Sequence, residues 1–170
     1  MTKKIEKVKI KYGGTQVNAR KVTVSSLIPI DVESAWLNVQ KSALLHFVCQ
    51  GKVLFKPVNG EFPKVWKELE KVSTKMLLFG FLPFGGTHTL YFEKIDHQNF
   101  ILQTQEFDNA AKVWDHKISL LKKDDYNILY TDEVYIYGGL LTNFISYWAL
   151  SFYKYRQSRW QIIAKNNIHF

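Results

Sequence analysis

The longest regular pattern of hydrophobic residues lies near the C-terminal end, between Gly138 and Asn166. At about 3.6 residues per turn, its apolar side chains gather on one side of a helix. The predicted apolar face consists of Leu141, Phe144, Ile145, Trp148, Phe152 and Tyr155, continued by Ile162 and Ile163. The predicted polar face consists of Asn143, Ser146, Lys154, Gln157, Gln161 and Lys165. We therefore predict one long amphipathic helix whose aromatic face is covered by another part of the chain.

Alternating hydrophobic and polar residues predict strands over most of the preceding chain. The predicted strands are 20–28, 52–57, 74–82, 87–95, 100–107, 112–122 and 127–137. Residues 7–12 alternate in the same way and form either another strand or an ordered arm. A tight turn is predicted at 83–86, and the short connections favour an antiparallel meander.

Two short helices are predicted after the first of these strands. Asp31 is placed to cap a helix over 32–40, and a second helix fits 42–48. Residues 57–72 fit neither a helix nor a strand clearly. The predicted fold class is therefore α+β, with about six to seven strands, two short helices and a long C-terminal helix.

Composition favours one folded domain over 1–170, with 1–19 as an arm or extra strand. A hydrophobic content of 46% is too high for a disordered chain of 170 residues. The lone Cys49 excludes an intrachain disulfide, and the N-terminus lacks the apolar segment of a signal peptide. No apolar run is long enough to span a bilayer. We therefore expect a cytoplasmic protein.

The net charge of +8 raises the question of an anionic partner. The lysines are scattered or alternate along a strand, as in Lys7, Lys9 and Lys11, and no nucleic-acid motif is present. We expect no nucleic-acid partner and no transmembrane segment. Transient contact with a membrane and the oligomeric state stay open.

Several kinds of catalytic site are absent from the sequence. One cysteine cannot build a thiolate zinc site, and the five histidines lack metal-ligand spacing. The chain has no phosphate-binding glycine loop and no nucleophile elbow. We expect neither a metal nor another cofactor.

Four segments resemble the START-like, or helix-grip, superfamily of lipid-transfer domains and polyketide cyclases. They are LLFGFLPFGGTHTLYFEKID, VWDHKISL, YTDEVYIYGGLLTNF and FYKYRQSRW, and the match covers most of 20–165. The chain departs from the family near Leu69, where a glycine-containing turn is expected after a tryptophan. The resemblance implies a bent antiparallel sheet that wraps the C-terminal helix around an apolar cavity. It implies no fixed catalytic residues.

A cavity of that kind would bind a hydrophobic small molecule, such as a lipid, sterol or polyketide. The candidate lining residues are Phe55, His88, Leu90, Phe92, Trp114, His116, Phe144, Trp148, Phe152, Tyr155 and Arg159. The aromatic residues either fill the core or line a pocket. Arg159 either binds a carboxylate or phosphate group of a ligand, or it extends to water.

His116 is the main candidate for chemistry, because its strand position directs it towards the helix. Asp132 or Glu133 lies across the hairpin, depending on the register, and either would raise the pKa of the imidazole. Such a pair acts in acid–base catalysis or is only a buried structural pair. His88 has no evident partner in the sequence.

Three hypotheses of function follow. The first is a non-enzymatic binder or carrier of a hydrophobic molecule. The second is an enzyme of the cyclase, dehydratase or hydrolase type that uses His116 and a carboxylate. The third is a protein-interaction module with a closed core.

Overall fold

Eight strands form a single antiparallel sheet in the computed structural model, which describes residues 1–170. Their order across the sheet is β1-β2-β8-β7-β6-β5-β4-β3. The strands are β1 Thr2–Tyr12, β2 Thr15–Ile28, β3 Val53–Pro57, β4 Lys71–Leu78, β5 Leu82–Asp96, β6 Ile101–Phe107, β7 Val113–Lys122 and β8 Ile128–Tyr137. The helices are α1 Val32–Val39, α2 Ser42–Cys49 and α3 Thr142–Lys165, with a 3₁₀ turn at Gly139–Leu141.

The sheet is curved and packs around α3, which confirms the predicted α+β helix-grip fold. It has one strand more than the six to seven predicted. The additional strand is β1, which pairs with β2 along its whole length, from Thr2 opposite Ser25 to Tyr12 opposite Thr15. The segment predicted as a strand or an arm is therefore an edge strand.

The predicted helices form close to their predicted bounds. The side chain of Asp31 accepts a hydrogen bond from the backbone N–H of Ser34 at 2.8 Å, as expected of a helix cap. No helix of the structure is both long enough and apolar enough to cross a bilayer.

The predicted face of α3 is partly wrong. Phe144 and Leu141 are 67% and 50% exposed, whereas the polar residues Ser146 and Gln157 are 1% and 0% exposed. Hydrophobicity alone assigned those two polar residues to solvent, but each has hydrogen-bond partners inside the protein. The buried residues of α3 are Thr142, Ile145, Ser146, Ala149, Phe152, Tyr153, Arg156, Gln157, Trp160 and Ile163.

The tight turn predicted at 83–86 is also displaced. The chain reverses at 79–81, and Leu78 pairs with Leu82. Gly85 and Gly86, at φ of 71° and 75°, instead form a bulge within β5, where the register with β4 shifts.

The connection that the sequence left undefined runs from β3 to β4 as an irregular loop. Trp66 within it is buried and stacks on Phe92, with ring centroids 4.6 Å apart. Leu69 has a φ of 64°, in the left-handed region that favours glycine. This is the position where the family resemblance leads one to expect a glycine-containing turn.

Candidate functional site

A cavity of about 130 Å³ lies between α3 and the concave face of the sheet. Most of its lining residues are hydrophobic. Engineered apolar cavities of about 150 Å³ bind benzene, so this cavity is large enough for a group of roughly one aromatic ring. Nine of the predicted lining residues do line it, namely Phe55, His88, Leu90, Phe92, Trp114, His116, Phe144, Trp148 and Phe152.

The strands on the cavity side of the sheet contain two irregularities. The register between β4 and β5 shifts between Lys75 and Met76, and that between β5 and β6 shifts between Phe92 and Lys94. Each bulge bends its strand and increases its local twist. The β3–β6 side of the sheet therefore turns away from the helix instead of packing flat against it.

Aromatic residues of α3 and of the β4–β5 hairpin border the cavity where it meets solvent. Phe144 lines it although 67% of this residue is exposed. Phe84 and Trp148 are half-buried and also line the cavity. Further exposed apolar residues of the same segments are Phe79, Phe81, Leu82, Leu140 and Leu141. These further residues do not line the cavity themselves, and its partly exposed aromatic lining consists of Phe84, Phe144 and Trp148.

Charged side chains form a buried cluster on one wall of this cavity. Both ring nitrogens of His88 face carboxylates, with Nδ1 2.9 Å from Asp108 Oδ2 and Nε2 3.1 Å from Glu106 Oε2. Thr104 Oγ1 donates to the other oxygen of Glu106 at 2.7 Å, and Asp108 also accepts two backbone hydrogen bonds. His88 is therefore a doubly hydrogen-bonded side chain inside an apolar environment.

His116 continues the cluster towards the helix. Its Nε2 lies 2.8 Å from Asp132 Oδ1, and its Nδ1 lies 3.8 Å from Glu106 Oε1, which is too long for a hydrogen bond. The other oxygen of Asp132 accepts from Gln157 Nε2 at 2.8 Å, and Gln157 Oε1 accepts from Ser26 at 2.6 Å. His116 lines the cavity, whereas Asp132 lies behind it.

Mutual pairing sets the charge states of these groups. Burial alone would lower the pKa of His88, but its hydrogen bonds to Asp108 and Glu106 raise it to about 9. Burial likewise opposes the charge of His116, and Asp132 and Glu106 nevertheless hold its pKa above the ordinary value. Burial disfavours ionised Glu106, yet the two histidines hold its pKa below the ordinary value. The His88 imidazole is therefore cationic at neutral pH, and the pairing of His116 with the carboxylates also favours its protonated form.

Arg156 is another basic residue of the cavity wall, in addition to His88, His116 and Lys41. It is 7% exposed, and its guanidinium carbon lies 5.1 Å from the centre of the Tyr153 ring. The wall thus combines three buried basic side chains and the half-buried Lys41 with the carboxyl groups of Glu106 and Asp108 in an otherwise apolar cavity.

Three predicted site residues lie elsewhere. Tyr155 donates to the backbone oxygen of Gln50, and Arg159 packs on the ring of Phe47 at 4.1 Å. Neither lines the cavity. Glu133 projects from the other face of β8 and pairs with Lys21. The register decides this, because Val134 is directly opposite His116 and only Asp132 shares its face.

Sequence reasoning missed Thr104, Glu106, Asp108 and Arg156. Usable signals existed for three of them. Thr104 and Glu106 alternate with buried Leu102 along β6 and so share its face. Arg156 follows Phe152 by four residues, which places it on the same helical stripe. The sequence offered no partner for His88 because both carboxylates that pair with it lie on or just after another strand. Glu106 belongs to β6, and Asp108 follows it.

No three or more His, Cys, Asp or Glu side chains are grouped so that they could hold a metal ion. The acidic and basic groups of the cavity wall pair with one another instead.

Comparison with known proteins supports the fold. No family model matches the sequence. No curated protein matches it either. Solved structures match at low sequence identity, and such matches support the fold alone.

The structure of norcoclaurine synthase from Thalictrum flavum in complex with dopamine and hydroxybenzaldehyde has a TM-score of 0.66 at 6% identity, covering 89% of this chain and 90% of that chain. A START superfamily protein from Mycobacterium smegmatis has a TM-score of 0.65 at 6% identity, covering 87% of this chain and 99% of that chain. The Zhui aromatase/cyclase from Streptomyces sp. R1128 has a TM-score of 0.59 at 8% identity, covering 86% and 94%. The chain therefore has the START-like, helix-grip fold.

Proposed function

We propose that this protein binds or carries a hydrophobic small molecule in the cavity between its sheet and α3. The observation that supports this proposal best is the cavity itself, since it is apolar, bordered by aromatic rings and walled on one side by buried polar groups. Small-molecule sites typically combine such a lining with a few polar groups that orient the ligand. A volume of about 130 Å³ favours a compact ligand or a compact part of a larger one.

The structural neighbours add weight to this proposal. One of them was crystallised with dopamine and hydroxybenzaldehyde, and another is an aromatase/cyclase. Their identities of 6% and 8% transfer no substrate to this chain. The existence of a cavity also favours a binder over the alternative of an interaction module with a closed core.

A titration with neutral ring compounds tests the proposal. Phenylethanol, indole and naphthalene would be added to the purified protein while the amide and indole N–H signals are followed by NMR. Trp114 and Trp148 line the cavity and should report binding directly. Mass spectrometry of a solvent extract would show any molecule that co-purifies. If no compound binds and nothing co-purifies, the proposal fails.

A pair of leucine variants locates the binding. Leu102 is 4% exposed and lines the cavity, whereas Leu27 is 55% exposed on β2. Leu102→Trp should fill part of the cavity and weaken binding at least about tenfold, because its indole occupies the space of the ligand. Leu27→Trp adds the same volume at the surface and should leave the affinity unchanged. Equal affinities in both variants would place the binding outside the cavity.

A second candidate function is acid–base catalysis on a ligand held in the same cavity. It is favoured by His116, which lines the cavity with Asp132 behind it, and whose Nδ1 has no close hydrogen bond. A cationic imidazole in this position would act as a general acid towards a carbonyl oxygen of the ligand, while a water molecule takes up the proton from the adjacent carbon. Incubating a bound ketone such as tetralone in D₂O would reveal exchange of its acidic C–H protons. Equal exchange in the wild type and in His116→Gln would rule out this role.

A further inference from the structure

Arg156 stands out among the cavity residues because it has no ion pair and its buried Nε has no hydrogen-bond partner. It projects from α3 on the same stripe as Phe152, and only 7% of it is exposed. Its guanidinium carbon lies 5.1 Å and 5.8 Å from the ring centres of Tyr153 and Phe152. The two rings fix the position of the guanidinium, but they accept none of its N–H groups as a carboxylate would.

The neighbouring carboxylates are already engaged by other donors. Glu106 is bound by His88 and Thr104, and Asp132 is bound by His116 and Gln157. Asp108, the third, accepts from His88 and from backbone N–H groups. None of them forms an ion pair with Arg156, whose buried Nε has no hydrogen-bond partner at all.

This combination occurs once in the structure. The other buried side-chain atoms without a partner belong to Glu70, Tyr130 and Trp160, and none of these residues lines the cavity. Two of them, Tyr130 and Trp160, are in contact with each other, with ring centroids 5.1 Å apart. Arg156 is the one such group that borders space for a ligand.

A buried guanidinium without a hydrogen-bonding anion is energetically costly, because it has lost its hydration and gained only contacts with aromatic rings. Arginine remains charged at any ordinary pH, so it cannot escape this cost by losing its proton. A planar carboxylate fits its fork of donors through two parallel hydrogen bonds. The arrangement therefore presents the donors of an anion-binding site to the cavity.

We propose that the ligand of this cavity is an apolar carboxylic acid whose carboxylate binds Arg156 while its ring or chain fills the apolar part. The inference rests on the proposed function, since it specifies the ligand class for the same cavity. It also replaces the sequence-based suggestion that Arg159 binds the acidic group.

Phenylacetate and phenylethanol provide the test, because they share a ring and a two-carbon arm and differ in charge. Calorimetric titration at neutral pH should show that the wild type binds phenylacetate at least about tenfold more tightly, as expected of a charge-assisted hydrogen bond. In Arg156→Met this preference should disappear, so that both compounds bind with about the same affinity. The affinity for phenylethanol should stay within a factor of about two of that of the wild type.

Arg159→Met is the matched control. It removes the same charge from the same helix three residues further on, at a side chain that does not line the cavity. This variant should keep the full preference for phenylacetate. If both arginine variants lose the preference equally, general attraction to a basic protein explains it and the site is refuted.

The remaining outcomes separate the two proposals. If the wild type binds both compounds equally, water serves as the partner of Arg156 and only the anion site is wrong. If it binds neither, the proposed function itself fails. Should Arg156→Met not fold, the Nε–H resonance of Arg156 in the wild type decides. It should move with phenylacetate and not with phenylethanol, and a resonance that moves with neither overturns the site.

Discussion

The two halves of α3 pack against the sheet in different ways. The C-terminal half is filled, since Trp160 and Ile163 are both 0% exposed and belong to the hydrophobic cluster that includes Val22, Val24 and Tyr130, themselves at most 1% exposed. The N-terminal half borders a cavity, and its Phe144 and Trp148 stay partly accessible. One helix thus supplies both a solid core and the wall of a candidate binding site.

The strands explain the difference. β2, β8 and β7 pair without any shift of register, whereas β4, β5 and β6 contain two bulges. Regular strands lie close to the helix and let side chains interdigitate, and the bulged strands curve away from it. Stability is therefore expected to reside in the regular half, and binding in the bulged half.

Replacing one tryptophan in each half should give the largest contrast. Trp160→Ala should lower the free energy of unfolding by about 3–5 kcal/mol, because a fully buried indole leaves a cavity behind. Trp148→Ala should cost only about 1 kcal/mol, because its ring already borders open space, and it should weaken binding of phenylethanol. Chemical denaturation and ligand titration would measure both. Equal losses of stability would remove the distinction between the two halves.

The buried charges should make the bulged half sensitive to pH. The folded state holds the pKa of His88 at about 9, above its ordinary value of 6.5, so protonation stabilises the folded state. The contribution, about 3 kcal/mol, is fully present below pH 6.5 and is lost as the pH rises through about 9. The free energy of unfolding, measured by chemical denaturation between pH 6.5 and 8.5, should show this decline. Burial raises the pKa of Cys49 to about 12, and this thiol contributes to the pH dependence only at higher pH.

His88→Gln is the control for that prediction, because glutamine keeps hydrogen-bonding groups but cannot titrate. Its free energy of unfolding should vary less with pH than that of the wild type. Some slope should remain, since the pKa of His116 is also raised. An unchanged slope would show that His88 is not the titrating group.

Two glycines of the β4–β5 region should give a smaller and more local effect. Gly80 and Gly85 both have positive φ, 84° and 71°, so alanine is strained at either position. At Gly85 the added Cβ would also lie 2.5 Å from Asp108 Oδ2, whereas nothing lies within 4 Å at Gly80. Gly80→Ala should cost about 1 kcal/mol. Gly85→Ala should cost about 2 kcal/mol and alter the titration of His88, because Asp108 must move.

The titration of His88, followed by the NMR shifts of its ring protons, distinguishes the two variants. It should move in Gly85→Ala and stay unchanged in Gly80→Ala. The same titration in both variants would show that the contact between Gly85 and Asp108 does not hold the cluster together.

The sequence alone predicted the long helix, the two short helices and seven of the eight strands. Local signals are sufficient for these elements, since periodicity, caps and turn residues act over a few neighbouring positions. It also placed His116 near a carboxylate, and it selected nine residues that do line the cavity. The resemblance to the START-like superfamily supplied the architecture that joined the elements.

Only the tertiary structure decided which polar residues lie inside. Ser146, Gln157 and Arg156 look like solvent-facing positions when their hydrophobicity is considered alone. Gln157 is buried because its amide forms hydrogen bonds with two distant residues. Ser26 is 131 positions away in the sequence and Asp132 is 25 positions away. Glu106 and His88 meet because two strands pair in one particular register, and Asp132 rather than Glu133 shares a face with His116 for the same reason. Burial of a polar group depends on partners that are distant in sequence, so the pattern along the chain cannot specify it.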